Sequence, residues 1–408
     1  MKKRTIAKTG ATMLTMAMLL NGTTVLAAGS NYEAQIGGTK TTTFDKYLVM
    51  DKQANVPNVS FTYVVTPGKA KAYDVAGKKN VQILAGVDAK NVTMAGVGTD
   101  VANTIKYAPG NETAQDANAL VKNYDKATEK YAKKTATLDF SKCNFTEPGI
   151  YRYIITESGT NQAVTNDKDA TRVVDVYVND ASDTDGKKLI IAGYVLHSNE
   201  NDEPDVAAGK NAGSTGAYVE TKSQGFTNKY DTSDLTFKKE VSGNQASHDK
   251  YFKFTVKITN AEQGTVYNVN RLNADERSKS NAATITENAG KTNPDKLTVG
   301  TDGTVTKEFY LQHGQEITIQ GIAKDSKYSV TENAEDYKST AAGVAEYTAP
   351  ANGTIESADL KTSYLNTRDG VIPTGVIMTV APFAAVTLLG GAGVVTMVMK
   401  KKKSSEEE

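Results

Sequence analysis

Through most of the chain, apolar and polar residues alternate in short runs. Val59-Ser60-Phe61-Thr62-Tyr63-Val64-Val65, Arg172-Val173-Val174-Asp175-Val176-Tyr177-Val178 and Tyr251-Phe252-Lys253-Phe254-Thr255-Val256 are examples, and Gly, Asn, Asp and Pro separate such runs. Alternation sends successive side chains to opposite faces of an extended strand, and many short strands between turn residues predict an all-β sandwich. One segment departs from this pattern. From Glu112 to Lys134 the apolar positions Ala117, Leu120, Val121, Tyr124 and Tyr131 fall at helical spacing, which predicts a helix inserted in the first domain. Asn199 to Gly216 is polar and Gly-rich and reads as a loop.

Both ends differ from the middle. Met1-Lys2-Lys3-Arg4 is basic, Ala11 to Leu20 is apolar, and Val25-Leu26-Ala27-Ala28 is a small-residue exit. This is the order of a secretory signal peptide cleaved after Ala27 or Ala28. The apolar stretch is too short for a membrane anchor and is broken by Asn21 and Gly22. At the other end, Val376 to Met399 is uncharged and long enough to span a bilayer. Lys400 to Lys403 follow at once and hold that side in the cytoplasm.

Composition narrows the function. The chain has 408 residues and a formal net charge of +0, with no basic cluster of the kind that binds nucleic acid. The single cysteine, Cys143, excludes an intramolecular disulfide in an exported protein. The three histidines, His197, His248 and His313, lack metal-ligand spacing and read as surface residues. No cysteine–histidine pair, metal motif or Gly-flanked serine nucleophile stands in a supporting context, so an enzyme such as a wall hydrolase is not expected, nor is a cofactor. By length and pattern the segments are a signal peptide at 1–28, two domains at 29–230 and 231–370, and a terminal signal at 371–408.

A constellation of polar residues recurs in both halves. In Phe44-Asp45-Lys46-Tyr47-Leu48, Lys46 shares the face of Phe44 and Leu48; in Leu235-Thr236-Phe237-Lys238-Lys239-Glu240-Val241, Lys239 shares the face of Leu235, Phe237 and Val241. Lysine is almost never fully buried unless paired. Each half then has a strand ending in Thr-Glu, with Glu157 on the parity of Tyr153 and Ile155 and Glu332 on that of Tyr328 and Val330. Each closes on an asparagine of the same parity as an aromatic, in Phe226-Thr227-Asn228 and Tyr364-Leu365-Asn366. Burial disfavours both charged forms, so a proton can pass from lysine to glutamate and leave a neutral, nucleophilic amine. Attack on an asparagine carboxamide held nearby would release ammonia and leave a Lys–Asn isopeptide bond, with positioning supplying much of the acceleration. Parity alone leaves two readings open, this reaction and an unreacted buried hydrogen-bonded network.

Immediately before the span stands Ile372-Pro373-Thr374-Gly375. With the hydrophobic span and lysine cluster behind it, this motif resembles a sortase cell-wall sorting signal. The residue between Pro and Thr of the usual Leu-Pro-x-Thr-Gly is missing, a form similar to the Val-Pro-Thr-Gly variant of some pilins. A dedicated pilin sortase is therefore implied. The acidic end, Glu406 to Glu408, departs from the usual all-basic tail.

The order Lys, Thr-Glu, Asn in two tandem β-domains ending in such a signal is similar to Gram-positive backbone pilins with Ig-like, isopeptide-containing domains. The resemblance covers nearly the whole mature chain, with its nearest local matches at Leu235 to Gly243, Phe145 to Glu157 and Ile372 to Pro382. It implies two tandem Ig-like sandwiches and bonds Lys46–Asn228, assisted by Glu157, and Lys239–Asn366, assisted by Glu332. The region between Asp74 and Lys134 departs from the compact family pattern. In the family, a sortase cysteine attacks the residue matching Thr374, and a lysine of the next subunit accepts it. Lys222 is the nearest positional match to that lysine, one residue closer to the asparagine than expected, with Lys210 and Lys229 next. The implied partners are the sortase, further copies of the chain, minor pilins and peptidoglycan, on the surface of a Gram-positive cell. A singly anchored adhesin holding a host ligand is the competing expectation.

Overall fold

The computed structural model describes residues 36–371, except 76–77, 96–101, 119, 184–185, 187, 205–224, 273–278 and 281–291. The signal peptide, the sorting motif and the span expected at 376–399 lie outside these residues. Among the described residues, no helix is long and apolar enough to cross a membrane.

The alternation is realised as strands almost throughout. Strands up to Tyr230 pair with one another, and those from Thr232 onward likewise, giving two sandwiches in tandem. In the first, an eight-stranded sheet is centred on Gly149–Ser158, which lies between Val59–Pro67 and Thr171–Asp180. It faces a six-stranded sheet in which Thr41–Asp51 lies between Gly225–Tyr230 and Glu129–Asp139. The second packs a seven-stranded sheet, with Thr232–Ser242 between Glu316–Ala323 and Leu360–Thr367, on a four-stranded sheet holding Phe252–Thr259 and Lys327–Asn333.

One feature of the connectivity positions the chemistry. The first long strand of each sandwich, Thr41–Asp51 or Thr232–Ser242, here called its opening strand, runs parallel to its closing strand, Gly225–Tyr230 or Leu360–Thr367. Parallel neighbours need a long crossover, and here the crossover is the rest of the sandwich. Phe226 lies opposite Lys46 and Tyr364 opposite Lys239, so Asn228 and Asn366 stand two residues further along on the same face. Gly225 makes the first approach possible. Its φ is +146°, and a Cβ there would come 1.7 Å from the Asp45 carbonyl oxygen.

The inserted helix is not formed. Among the described residues from Glu112 to Lys134 there are a short strand, Thr113–Ala114, turns, and the start of Glu129–Asp139, which pairs with Thr41–Asp51 along its whole length. The apolar spacing has a different origin. Thr41–Asp51 is covered on both faces, and Tyr47 and Val49 on its outer side need apolar cover. Val121 and Tyr131, with Ala114 and Tyr124 against them, supply it from turns and strand. A similar satellite core of Tyr73, Val81, Ile83, Ile150 and Tyr177 lies under the hairpin Lys71–Val75/Lys78–Ala85.

The joint between the sandwiches is polar. Asn55 Nδ2 donates to Val266 O at 3.0 Å and Asn268 Oδ1 at 2.9 Å, and Asn58 Nδ2 donates to Gln263 O at 2.7 Å. Gln162 Nε2 reaches Lys324 O and Ser326 Oγ, both at 3.3 Å. Gly321, at φ +67°, lets Ala54 pack against its backbone; a Cβ there would meet Ala54 Cα at 2.6 Å.

Candidate functional sites: two buried lysine–glutamate–asparagine clusters

Strand parity buries Lys46 completely, among apolar residues of the first core. Its ammonium sits 4.1 Å above the Phe61 ring and 2.7 Å from Glu157 Oε2. This contact is ionic rather than a well-aligned hydrogen bond. Glu157 is brought there by Gly149–Ser158, and both its oxygens are used. Oε2 also accepts from Tyr63 Oη at 2.7 Å, and Oε1 accepts from Asn228 Nδ2 at 2.7 Å. The carboxylate thus bridges the amine and the carboxamide. Burial lowers the Lys46 pKa to about 8, against the opposing pull of Glu157.

Asn228 has further partners that sequence reading missed. Its Nδ2 also donates to Asn166 Oδ1 at 3.0 Å, and its Oδ1 accepts from the Asp167 backbone N–H at 3.0 Å. Asp167 is itself anchored, since its Oδ2 accepts from Arg172 Nη2 at 2.5 Å and from Thr227 N at 2.8 Å. Arg172 is fully buried and ties this turn to the closing strand by donating to Gly225 O at 2.7 Å. Nothing in the sequence pattern marked the Asn166–Asp167 turn, because its role depends on which strand it lies beside.

The second sandwich repeats the arrangement with different neighbours. Lys239 is fully buried, 4.4 Å above the Phe252 ring and 2.7 Å from Glu332 Oε1, and it donates to Tyr364 O at 3.3 Å. Glu332 Oε1 accepts from Asn366 Nδ2 at 3.0 Å, and Oε2 accepts from Ser339 Oγ at 2.8 Å. Burial again lowers the lysine to about 8. Asn366 Oδ1 is buried with no hydrogen-bond partner among the described residues.

Of the other expected residues, Lys222 and Lys210 lie outside the described residues, as do Ile372, Pro373, Thr374 and Gly375. Lys229 is exposed on the closing strand and pairs with Glu129 at 2.6 Å. The surface reading of the histidines fails for His197, which is 1% exposed with Nε2 3.0 Å from Asp175 Oδ2. Asp175 in turn receives Arg152 through Nε at 2.7 Å and Nη2 at 2.8 Å. Arg152 also donates to Glu200 O and Asp202 O, so this buried network pins the turn that follows Leu189–His197. His313 is half-buried, stacks on the exposed His248 with ring centroids 4.0 Å apart, and accepts from Val241 N at 2.9 Å.

Each cluster therefore holds an amine that burial makes easier to deprotonate, a carboxylate in contact with it, and a primary amide on the same carboxylate. Residues 75–231, which contain Glu157 and Asn228, match the family model described as a Spy0128-like isopeptide containing domain. The chain carries a Spy0128-like isopeptide-containing domain. Lys46 precedes the matched stretch of that isopeptide domain and joins it through the parallel strand pair. Residues 233–368, which contain all of the second cluster, match a domain family of unknown function, DUF7601. Over 409 aligned residues the chain is 25% identical to a curated pilin of Streptococcus pyogenes serotype M1, covering 96% of this chain and 97% of that protein. The crystal structure of the major pilin from Streptococcus pyogenes is similar with a TM-score of 0.50 and 18% identity, covering 82% of this chain and all of that one. That likeness shows a shared all-β fold. The resemblance to backbone pilins read from the sequence is borne out.

Proposed function

We propose that this chain is the shaft subunit of a covalently assembled pilus and that each sandwich is closed by an autocatalytic Lys–Asn isopeptide bond. The observation that carries the reading is the convergence, twice, of a fully buried lysine, a bridging glutamate and an asparagine on the parallel opening and closing strands. The likeness to a pilin over nearly the whole chain supports it.

In the reaction, Lys46 gives a proton to Glu157 and its neutral Nζ attacks Asn228 Cγ. A C–N bond forms to Nζ and the bond to Nδ2 breaks. The carboxyl proton of Glu157 goes to the departing nitrogen, which leaves as ammonia, and the carboxylate so freed takes the second proton that Nζ sheds as it becomes an amide nitrogen. Lys239, Glu332 and Asn366 do the same in the second sandwich. No external reagent is consumed and the reaction runs once. Holding the groups at contact supplies effective molarities of roughly 10⁵–10⁸ M, which offsets the poor reactivity of an amide. A sortase would then cleave after Thr374 and join it to a lysine of the next subunit, with Lys222 the first candidate. The shaft so formed would be anchored to peptidoglycan.

Intact mass of the region Ser30 to Thr374 tests the chemistry. A deficit of two ammonia molecules is expected, falling to one in Lys46→Ala and one in Lys239→Ala. An unshifted mass would leave two ordinary buried networks. Co-expression with a pilin sortase should give a ladder of polymers on denaturing gels that disappears in Thr374→Ala. A single anchored band would favour the adhesin instead.

A further inference from the structure

The two clusters are not equivalent, and the difference lies at the carbonyl oxygen that must take the charge during attack. When Nζ adds to the carboxamide carbon, Oδ1 becomes an oxyanion, and a donor already aimed at it lowers the barrier. We propose that the backbone N–H of Asp167 is the oxyanion donor of the first sandwich, positioned by Arg172, and that the second sandwich closes without one. This rests on the isopeptide reading above and specifies its mechanism.

The geometry is built for it. Val164–Thr165 pairs antiparallel with the closing strand through Tyr230 and Lys229 and stops there, one step before Asn228. The main chain that follows is freed from the ladder, and the Asp167 N–H donates to Asn228 Oδ1 at 3.0 Å. A backbone N–H can only donate, so this contact also fixes which end of the carboxamide is oxygen. Nδ2, the leaving group, then faces Glu157, which is to protonate it, and Asn166 Oδ1. The turn is held from both sides. The Asp167 carboxylate takes Arg172 and Thr227 N, and Arg172 Nη1 donates to Asp169 O at 2.7 Å and Thr171 O at 2.8 Å. In the second sandwich the neighbouring strand Lys338–Ala341 does not stop short. It pairs straight through, with Ser339 opposite Asn366, so its main chain stays in the ladder and Asn366 Oδ1 is left buried without a donor among the described residues.

A time course of cell-free synthesis of the chain, quenched in denaturant and read by mass spectrometry of cross-linked peptides, follows both bonds in one molecule. The Lys46–Asn228 bond should form first, at least about tenfold faster, as expected for one added oxyanion donor. Replacing the Asp167 N–H by an ester oxygen, through the corresponding α-hydroxy acid, should slow the first bond about 10²–10³-fold. The second bond, in the same chain, should keep its rate. If the ester chain closes both bonds at unchanged rates, or if the second bond forms first in the natural chain, the proposal is overturned. Should the ester chain not fold, the order in the natural chain still decides. Absence of both bonds from the natural chain would instead remove the isopeptide reading itself.

Discussion

At the scale of single residues, the proposed reaction gives the glutamates the most demanding task, because each would exchange a proton with a lysine whose one ion pair among the described residues is with that glutamate. Glu157→Ala should retain one ammonia in the intact mass and Glu332→Ala the other, with neither affecting the opposite sandwich. Each also strands a buried ammonium, and removing one partner of such a pair costs about 3–5 kcal/mol, so a lower melting temperature should accompany the lost bond. Asp175 makes a second prediction. Burial alone would raise its pKa, but the hydrogen bonds from Arg152 and His197 more than reverse this and hold it below the usual carboxylate range. A folded pKa below the unfolded one adds stability that is complete above the unfolded value and is lost as pH falls through the folded value. Asp175→Asn should therefore flatten the acid side of the stability–pH curve in urea titrations. It should also cost about 3–5 kcal/mol near neutrality, because Arg152 is left without its counter-ion. An unchanged acid limb would show that other carboxylates set it.

At the scale of elements, the decisive arrangement is the parallel pairing of opening and closing strands. It converts a two-residue register offset into contact between a lysine and an asparagine far apart in sequence. Gly225 permits it, since a side chain there would collide with the Asp45 carbonyl and φ lies in the region that favours glycine. Gly225→Val should shift the closing strand outward and leave the first sandwich unreacted, seen as one ammonia retained, while the second reacts as before. Normal loss of both would mean that the strand tolerates the displacement. The segment from Glu112 to Lys134 illustrates the opposite relation between element and sequence. Its apolar residues keep helical spacing, yet Val121, Tyr124 and Tyr131 act as cover for Tyr47 and Val49 while Leu120 stays exposed, and the β-pairing of Glu129–Asp139 overrides local periodicity.

At the scale of the whole molecule, a bond between the parallel opening and closing strands would change the path of a pulling force. With the proposed bonds in place, load entering near the start of a sandwich would cross from Lys46 to Asn228 and from Lys239 to Asn366, and the chain enclosed by each bond would be bypassed. Single-molecule extension of the natural chain should show no unfolding step of domain size. Lys46→Ala should restore one, on the order of 600 Å for the chain between Lys46 and Asn228 at ~3.3–3.6 Å per residue. A full-length step in the natural chain would contradict a closed first sandwich. Between the sandwiches the hydrogen bonds of Asn55, Asn58 and Gln162 link side chains of the first to backbone of the second. They leave the joint more dependent on polar contacts than either core.

What the sequence determined by itself follows from short-range rules. Alternation specified strands, and it also specified the inward face of Lys46, Glu157, Asn228, Lys239, Glu332 and Asn366, because side-chain direction in a strand depends only on parity. All six side chains are buried where parity placed them. What parity could not supply was distance. That Glu157 touches both Lys46 and Asn228 depends on two sheets facing one another and on the parallel register of strands at opposite ends of a domain. His197 was misread for the same reason, since its burial comes from Arg152 and Asp175 on neighbouring strands rather than from its own segment. The Asp167 donor was invisible for a further one. A backbone N–H has no letter in the sequence, and only the point where a neighbouring strand stops decides whether it is free to act.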